Sequence, residues 1–317
     1  MNGSVIEAVN LTKTFRDGVV AVKDLDLEVK RGAVYGLLGR NGSGKTTALR
    51  LLMGLLQPDR GEARVLGWDF WRAPRSVRTR VAYVAQTQHL PGWMTVEELC
   101  RCQTRWNERW DQRHARALVD GWKVPWRRQV AGLSAGEQRK VAIAVAFASR
   151  PEVLILDEPS SGLDVIARRG LLEQIVDAIT QTNGCTVLLS THIVSDLERV
   201  ADHVGVIHGG RMAMSARLED LLNHTRRVQV IFEGEEAPAN FTIPGAVHSR
   251  QEGPVVSAVV RLTDGSELDG LRGSANVRVQ VFPIGLEDLF IELFGRDTHH
   301  GDEMINDWEA REISGRE

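Results

Sequence analysis

Val34-Tyr35-Gly36-Leu37-Leu38 runs into Gly39-Arg40-Asn41-Gly42-Ser43-Gly44-Lys45-Thr46-Thr47, and the reading of this stretch decides the fold. Residues 34–38 form a short apolar run of the kind that makes a buried strand. Residues 46–56 follow with helical spacing until Pro58. Between them, Gly39 to Thr46 satisfies the G-x-x-x-x-G-K-[ST] pattern at every position, in the strand, loop, helix setting that makes the pattern informative. Glycines let backbone N–H groups crowd around phosphate oxygens at a positive helix N-terminus. Lys45 is then placed to reach the β- and γ-phosphates, and Thr46 to offer a hydroxyl to Mg²⁺. The competing reading, a chance glycine turn before a basic helix, fits the flanking strand and helix poorly.

Working outward, Val153-Leu154-Ile155-Leu156-Asp157-Glu158 is an apolar strand ending in adjacent carboxylates. Asp157 is suited to face the metal, and Glu158, one residue on, to accept a proton from the water attacking a γ-phosphate. Taken alone, such an ending is common as a pair of solvated acids; next to a phosphate loop it gains meaning. Further buried strands are expected at Val81–Ala85, Cys185–Ser190 and Val204–His208, with helices between, so the core is α/β and mostly parallel. Val5–Asn10 and Val19–Val29 alternate in part and suggest β-strands on one edge. Residues 95–150 read mostly as helix. Thr95-x-x-Glu98 and Ser195-x-x-Glu198 each fit a capping box and so predict helix starts. After Leu218–His224 the grammar shifts to strands at Val228–Glu233, Val255–Leu262 and Val277–Phe282, closed by an amphipathic Leu286–Phe294. Three segments are therefore expected: 1–224, a smaller domain at 225–295, and an acidic tail at 296–317 that is mobile or an interaction segment.

Composition sets bounds on function. The chain has 317 residues, which suits one large domain plus an appendage. A net charge of -3 disfavours a general nucleic-acid binder. The longest apolar run, Val141–Ala148, is far short of the roughly 20 residues that cross a bilayer. The first residues carry no basic n-region ahead of an apolar one, so export of the chain itself is not expected. Cys100, Cys102 and Cys185 suit neither a disulfide framework nor a zinc spacing and read as reduced thiols. His299-His300 has no partner ligands at useful spacing.

Leu133-Ser134-Ala135-Gly136-Glu137-Gln138-Arg139-Lys140 separates this chain from other phosphate-loop proteins. It resembles the LSGGQ signature of ATP-binding-cassette proteins. Other landmarks of that family fall in order: Gln86 after a strand, Ser161-Gly162-Leu163-Asp164 after the acidic pair, and His192 after a strand. The resemblance covers residues 4–224. It implies an α/β P-loop cassette with a mostly parallel core sheet, an antiparallel β edge and a helical subdomain near 87–150, followed by a small C-terminal α+β domain. It also implies that Gly39, Arg40, Asn41, Gly42, Ser43, Gly44, Lys45, Thr46 and Thr47 bind ATP and that Phe15 stacks on adenine. Thr46, Gln86 and Asp157 are expected to hold Mg²⁺, and Glu158, His192, Gln86 and Lys45 to be catalytic. The resemblance further implies that Ser134, Ala135, Gly136, Glu137 and Asp164 meet ATP held by the opposite subunit of a dimer, and a serine-led helix N-terminus, an anion site with no phosphate of its own to bind, is consistent with that.

Two departures stand out. Ala135 replaces a glycine and Glu137 a glutamine. Ser134-x-x-Glu137 also fits a capping box, which turns Glu137 back to a backbone N–H; the alternative is a slowed or degenerate site. Five tryptophans, Trp93, Trp106, Trp110, Trp122 and Trp126, lie between Gln86 and the signature. They suit either the groove that in this family receives the membrane subunit or the core of a small helical subdomain. Eight Lys/Arg against three Asp/Glu from Arg101 to Arg128 read as a solvated face. The resemblance thus implies an ATPase subunit of an exporter of the ABC-2 type, peripheral on the cytoplasmic face, working as a homodimer or heterodimer on a separate transmembrane permease. No nucleic acid is expected. The alternative is a soluble cassette ATPase of translation or DNA maintenance, disfavoured by a single cassette without a coiled-coil insertion, zinc cysteines or a basic arm.

Overall fold

The computed structural model describes residues 3–181, 184–233, 236–238, 241–262, 266–272 and 276–294. The expected tail at 296–317, with His299 and His300, lies outside the described residues. The chain begins with β1 (Ser4–Thr14), β2 (Val20–Lys30), β3 (Val34–Leu38), α1 (Lys45–Leu52), β4 (Arg60–Val65), α2 (Arg75–Arg78) and β5 (Val81–Val84). It continues through α3 (Val96–Gln103), α4 (Gln112–Gly121), α5 (Ala135–Ala148), β6 (Val153–Asp157), α6 (Val165–Gln181), β7 (Thr186–Thr191), α7 (Val194–Val200), β8 (His203–His208) and β9 (Arg211–Arg217).

Two sheets result. One has the order β5-β6-β7-β3-β8-β9, with β5, β6, β7, β3 and β8 mutually parallel. Its inner strands β6 and β7 are buried at every residue, as strands covered on both faces must be. The second, β2-β1-β4, is antiparallel, and β2 alternates buried Val22, Leu25, Leu27 and Val29 with exposed residues. Its apolar face joins Tyr35, Leu37, Leu49 and Leu52 in one core. Parallel pairing brings the carboxyl ends of β3, β6 and β7 side by side, so Gly39, Asp157 and His192 emerge at one rim.

Several expectations are corrected. α1 ends at Leu52 rather than near residue 56, because Gly54 turns the chain at φ +62, and a Cβ there would stand 2.6 Å from the Trp71 nitrogen. Residues 95–150 are mostly helical, as expected, in α3, α4, a short 3-10 turn at Val130–Gly132 and α5. β4, which the sequence reading omitted, is the third strand of the antiparallel sheet. Thr95 and Glu98 form the capping box at the start of α3. Ser195 does not cap α7: Thr191 Oγ1 accepts from the Ile193 N–H at 3.0 Å, so the helix starts at Val194 and takes Ser195 into its first turn.

The chain divides into two compact units, Met1–Met212 and Ala213–Glu317. This break lies within β9, ahead of the boundary expected after residue 224. The reason is that α8 (Leu218–His224) ends on a carbonyl that accepts the Leu262 N–H at 2.7 Å, tying it to the later strands. Those are β10 (Thr225–Phe232), β11 (Ala246–Glu252), β12 (Val255–Arg261) and β13 (Val277–Pro283), preceded at the last by α9 (Asp269–Arg272) and followed by α10 (Leu286–Phe294). They pair antiparallel in the order β11-β12-β10-β13 around Val228, Val230, Val256, Val260 and Leu268. The polar strand β11 carries no apolar alternation and is held by pairing with β12.

Among the described residues, no helix is long and apolar enough to cross a membrane. Thr95→Ala is expected to lower unfolding stability by about 1 kcal/mol through loss of a helix cap, and Ser195→Ala to change it by a few tenths at most. Chemical unfolding of the two variants beside the parent checks both; equal losses would show that the two boxes are equivalent after all.

Candidate functional site

The loop between β3 and α1 is shaped by steric demand. Gly44 sits at the N-terminus of α1 with φ +105, and a Cβ there would run into the carbonyl of Ala21. A Cβ on Gly39 would approach the Ile207 carbonyl to 2.6 Å. No side chain caps α1, so its first-turn N–H groups point into the loop. Ser43 Oγ is buried without a hydrogen-bond partner among the described residues. Uncapped N–H groups and an orphaned hydroxyl fit a polyanionic ligand.

Lys45 is 5% exposed, and its ammonium donates to Gly39 O at 2.7 Å and Arg40 O at 3.2 Å. Its third neighbour is Glu158 Oε1 at 3.2 Å. The other carboxylate oxygen, Oε2, lies 2.7 Å from His192 Nδ1. Glu158 therefore bridges a lysine from α1 and a histidine from the end of β7. Its backbone is left-handed at φ +48, a conformation that costs a non-glycine residue about 1 kcal/mol or more. Ser190 holds it there: its carbonyl accepts the Glu158 N–H at 3.1 Å and its hydroxyl oxygen does so at 3.0 Å.

Asp157 is fully buried and accepts three hydroxyls: Ser190 at 2.7 Å, Thr46 at 3.1 Å and Tyr83 at 3.3 Å. Burial first, and Asp157 second, push the Tyr83 hydroxyl up to about 12, so it stays protonated and donates. Thr46 spends its one proton on Asp157 and leaves its lone pairs for an electrophile. With the exposed Gln86 on the same cleft, these oxygens are the hard donors that Mg²⁺ takes.

The cleft measures about 420 Å³. Asn41, Gly42, Ser43, Gly44, Lys45, Thr46 and Thr47 form its floor, and Phe15, Gln86, Glu158 and His192 its walls. Gly39 and Arg40, expected to bind ATP, are not among its lining residues and contribute through the carbonyls that hold Lys45. Ser161, which opens the Ser161–Asp164 landmark, also lines it, as do Val19 and Ala21, which no motif marks. Tyr83 and Ser190, two of the three hydroxyl partners of Asp157, escaped the sequence reading as well; Ser190 lies two residues before the His192 landmark, whereas Tyr83 carries no local signal.

Ser134, Ala135, Gly136, Glu137 and Asp164 do not line this cleft. Ser134 and Glu137 form a full capping box at the start of α5. Asp164 caps α6, its Oδ1 accepting from the N–H groups of Ile166 and Ala167 at 3.0 Å each.

Comparisons with known proteins bear on this geometry. The family described as ABC transporter matches residues 22–161. The Nod factor export ATP-binding protein I of Cupriavidus pinatubonensis is 34% identical over 302 residues, covering 93% of this chain and 92% of that one. The bacitracin transport ATP-binding protein BcrA of Bacillus licheniformis is 28% identical, covering 93% and 99%. A solved structure of the ATP binding subunit of an ABC transporter is similar with a TM-score of 0.62 at 29% identity, over 69% of this chain and 92% of that one. A phosphate loop, an acidic strand end and a serine-led helix, set in this sheet order and matched over nearly the whole length, place the chain in the ABC transporter family as an ATP-binding subunit.

Proposed function

We propose that this chain hydrolyses ATP as one half of a dimer and drives a separate membrane-spanning subunit in export, from a peripheral position on the cytoplasmic face of the membrane. One observation carries the reading. Lys45, Thr46, Asp157, Glu158 and His192 converge on a single cleft, while the Ser134 helix start stays outside it. Each chain thus holds one half of a site and offers the other half outward, which two copies can complete reciprocally. Because Lys45, Asp157, Glu158 and His192 are all present, the chain is equipped to work as a homodimer, and a related second cassette can substitute for one copy. Relatives named for Nod factor export and bacitracin transport support export as the direction.

The proposed mechanism follows from hydrogen-bond exchange. Lys45 has three protons and three acceptors, so gripping a phosphate oxygen means releasing one of them. Glu158 is the acceptor whose release is useful: its Oε1 then faces the cleft as a general base for water, while His192 keeps Oε2 oriented. First-turn N–H groups of α1 and Ser43 Oγ bind the β-phosphate side. Thr46, Asp157 and Gln86 would hold Mg²⁺, which when bound would neutralise charge on the phosphate oxygens. Phe15, partly exposed at the cleft wall, offers an aromatic face to adenine. Ser134 and the N–H groups at the start of α5 then close on the γ-phosphate of the other chain, with Asp164 crossing the interface.

Purified chain is expected to hydrolyse ATP and to lose that activity on magnesium chelation. Glu158→Gln should cut turnover by about 10²-fold or more and accumulate an ATP-bound dimer, and Lys45→Ala should abolish nucleotide binding. Sedimentation and phosphate release measure these; unaltered turnover in both variants would sink the assignment. Gly44→Ala should lose nucleotide binding by at least about tenfold with a folded circular-dichroism spectrum, since its Cβ meets the Ala21 carbonyl and not the core. Tight nucleotide binding by that variant contradicts the proposed loop geometry.

A further inference from the structure

Ser134 is committed to one neighbour. Its own N–H donates to Glu137 Oε2 at 2.8 Å, and its hydroxyl proton goes to the same oxygen at 2.8 Å. In return Ser134 Oγ accepts the Glu137 N–H at 3.3 Å. A single carboxylate oxygen therefore takes both donors that Ser134 owns. Its two hydrogen bonds from Ser134, backbone first, hold the Glu137 carboxyl below the usual carboxylate range, with Arg128 and Lys140 adding in the same direction and desolvation opposing. The side chain is consequently anionic, and it sits at the positive end of the fourteen-residue helix α5.

An anion arriving at that helix end meets a site already neutralised. We propose that Glu137 competes with the γ-phosphate for the Ser134 hydroxyl, and so sets the ATP concentration at which two chains close. This rests on the reading above, in which Ser134 grips ATP held by a second copy. On closure the hydroxyl proton turns from Glu137 Oε2 to a phosphate oxygen. Ser134 Oγ goes on accepting the Glu137 N–H, so the helix stays capped. What remains is repulsion between two anions that share one helix terminus, and it opposes closure at both sites of a dimer.

Three side chains at position 137 separate this from a purely structural cap. Glutamine keeps a carbonyl oxygen for the Ser134 N–H and removes the charge; alanine removes both. Competition predicts that Glu137→Gln closes more readily than the parent and Glu137→Ala does not share the full gain. A cap without competition predicts that the parent is best, since a carboxylate also suits the helix dipole.

The test is an ATP titration of dimer formation by sedimentation, with Mg²⁺, in the Glu158→Gln background. Glu137→Gln should reach half-maximal dimer at a roughly threefold to tenfold lower ATP concentration than the parent in low salt, with the gap narrowing toward about 0.5 M salt. ADP affinity, which reports the cleft of the isolated chain, should be the same in both. Dimerisation of the glutamine variant at the same or a higher ATP concentration overturns this proposal alone. Failure of every variant to dimerise, with ATP binding intact, overturns the dimer reading and this proposal with it.

Discussion

A buried ammonium is tolerable only while each of its protons has an acceptor. Lys45, 5% exposed, meets that demand with two carbonyls of its own loop and one carboxylate from β6's end. Most of the site follows from this one requirement. The carbonyls of Gly39 and Arg40 must turn toward Lys45, and that of Arg40 also accepts the Ser43 N–H at 3.1 Å, which coils the loop. The carboxylate must come from a strand whose end lies beside β3's, which the parallel pairing through β7 supplies. Because the ion pair is buried, removing one partner leaves an unpaired charge, a change usually worth several kcal/mol. In the proposed mechanism, binding an anion at Lys45 and freeing Glu158 are two views of the same exchange.

Glu158 and its loop are held against strain from several sides. Ser190 uses its hydroxyl twice, accepting from the Glu158 N–H and donating to Asp157. Two residues on, the buried Ser160 donates to Asp196 at 2.8 Å, and Arg168 Nε stands 3.4 Å from the other oxygen of that carboxylate. Burial raises the Asp196 carboxyl, while Ser160 and Arg168 pull it back toward the charged form. The segment from Glu158 to Asp164 is thus anchored to α7 at one point and caps α6 at its end. Such anchoring is what a left-handed residue in a reactive position needs to keep its geometry.

The signature segment obeys different rules. Ala135 is exposed at the first position of α5, where the helix accepts a methyl without crowding. A Cβ on Gly136 would reach ordinary contact, 3.4 Å, with Leu163, and nothing closer. The departures from the family pattern therefore leave the helix start well formed, and their consequence falls on charge. Glu137 fills the role of a cap and at the same time takes both donors of Ser134.

How much was legible depended on the range of the forces involved. The phosphate loop, the strand ending at Asp157 and Glu158, and the boxes at Thr95 and Ser134 are written in contiguous residues, because steric freedom at glycine and first-turn hydrogen bonds act within a few positions. Those the sequence by itself determined. Ser195-x-x-Glu198 satisfies the same local pattern and forms no cap, since Thr191 makes the preceding turn and Asp196 is drawn to Ser160. β4 and β11 were missed because each is held by a neighbouring strand and not by its own alternation. Tyr83, 74 residues from Asp157, and Ser190, 33 residues from it, became its partners only through the order β5-β6-β7. Only the tertiary structure could decide which hydroxyls surround the buried carboxylate and which half of the site faces outward, because strand order is settled by burial of the whole sheet and leaves no mark at any single position.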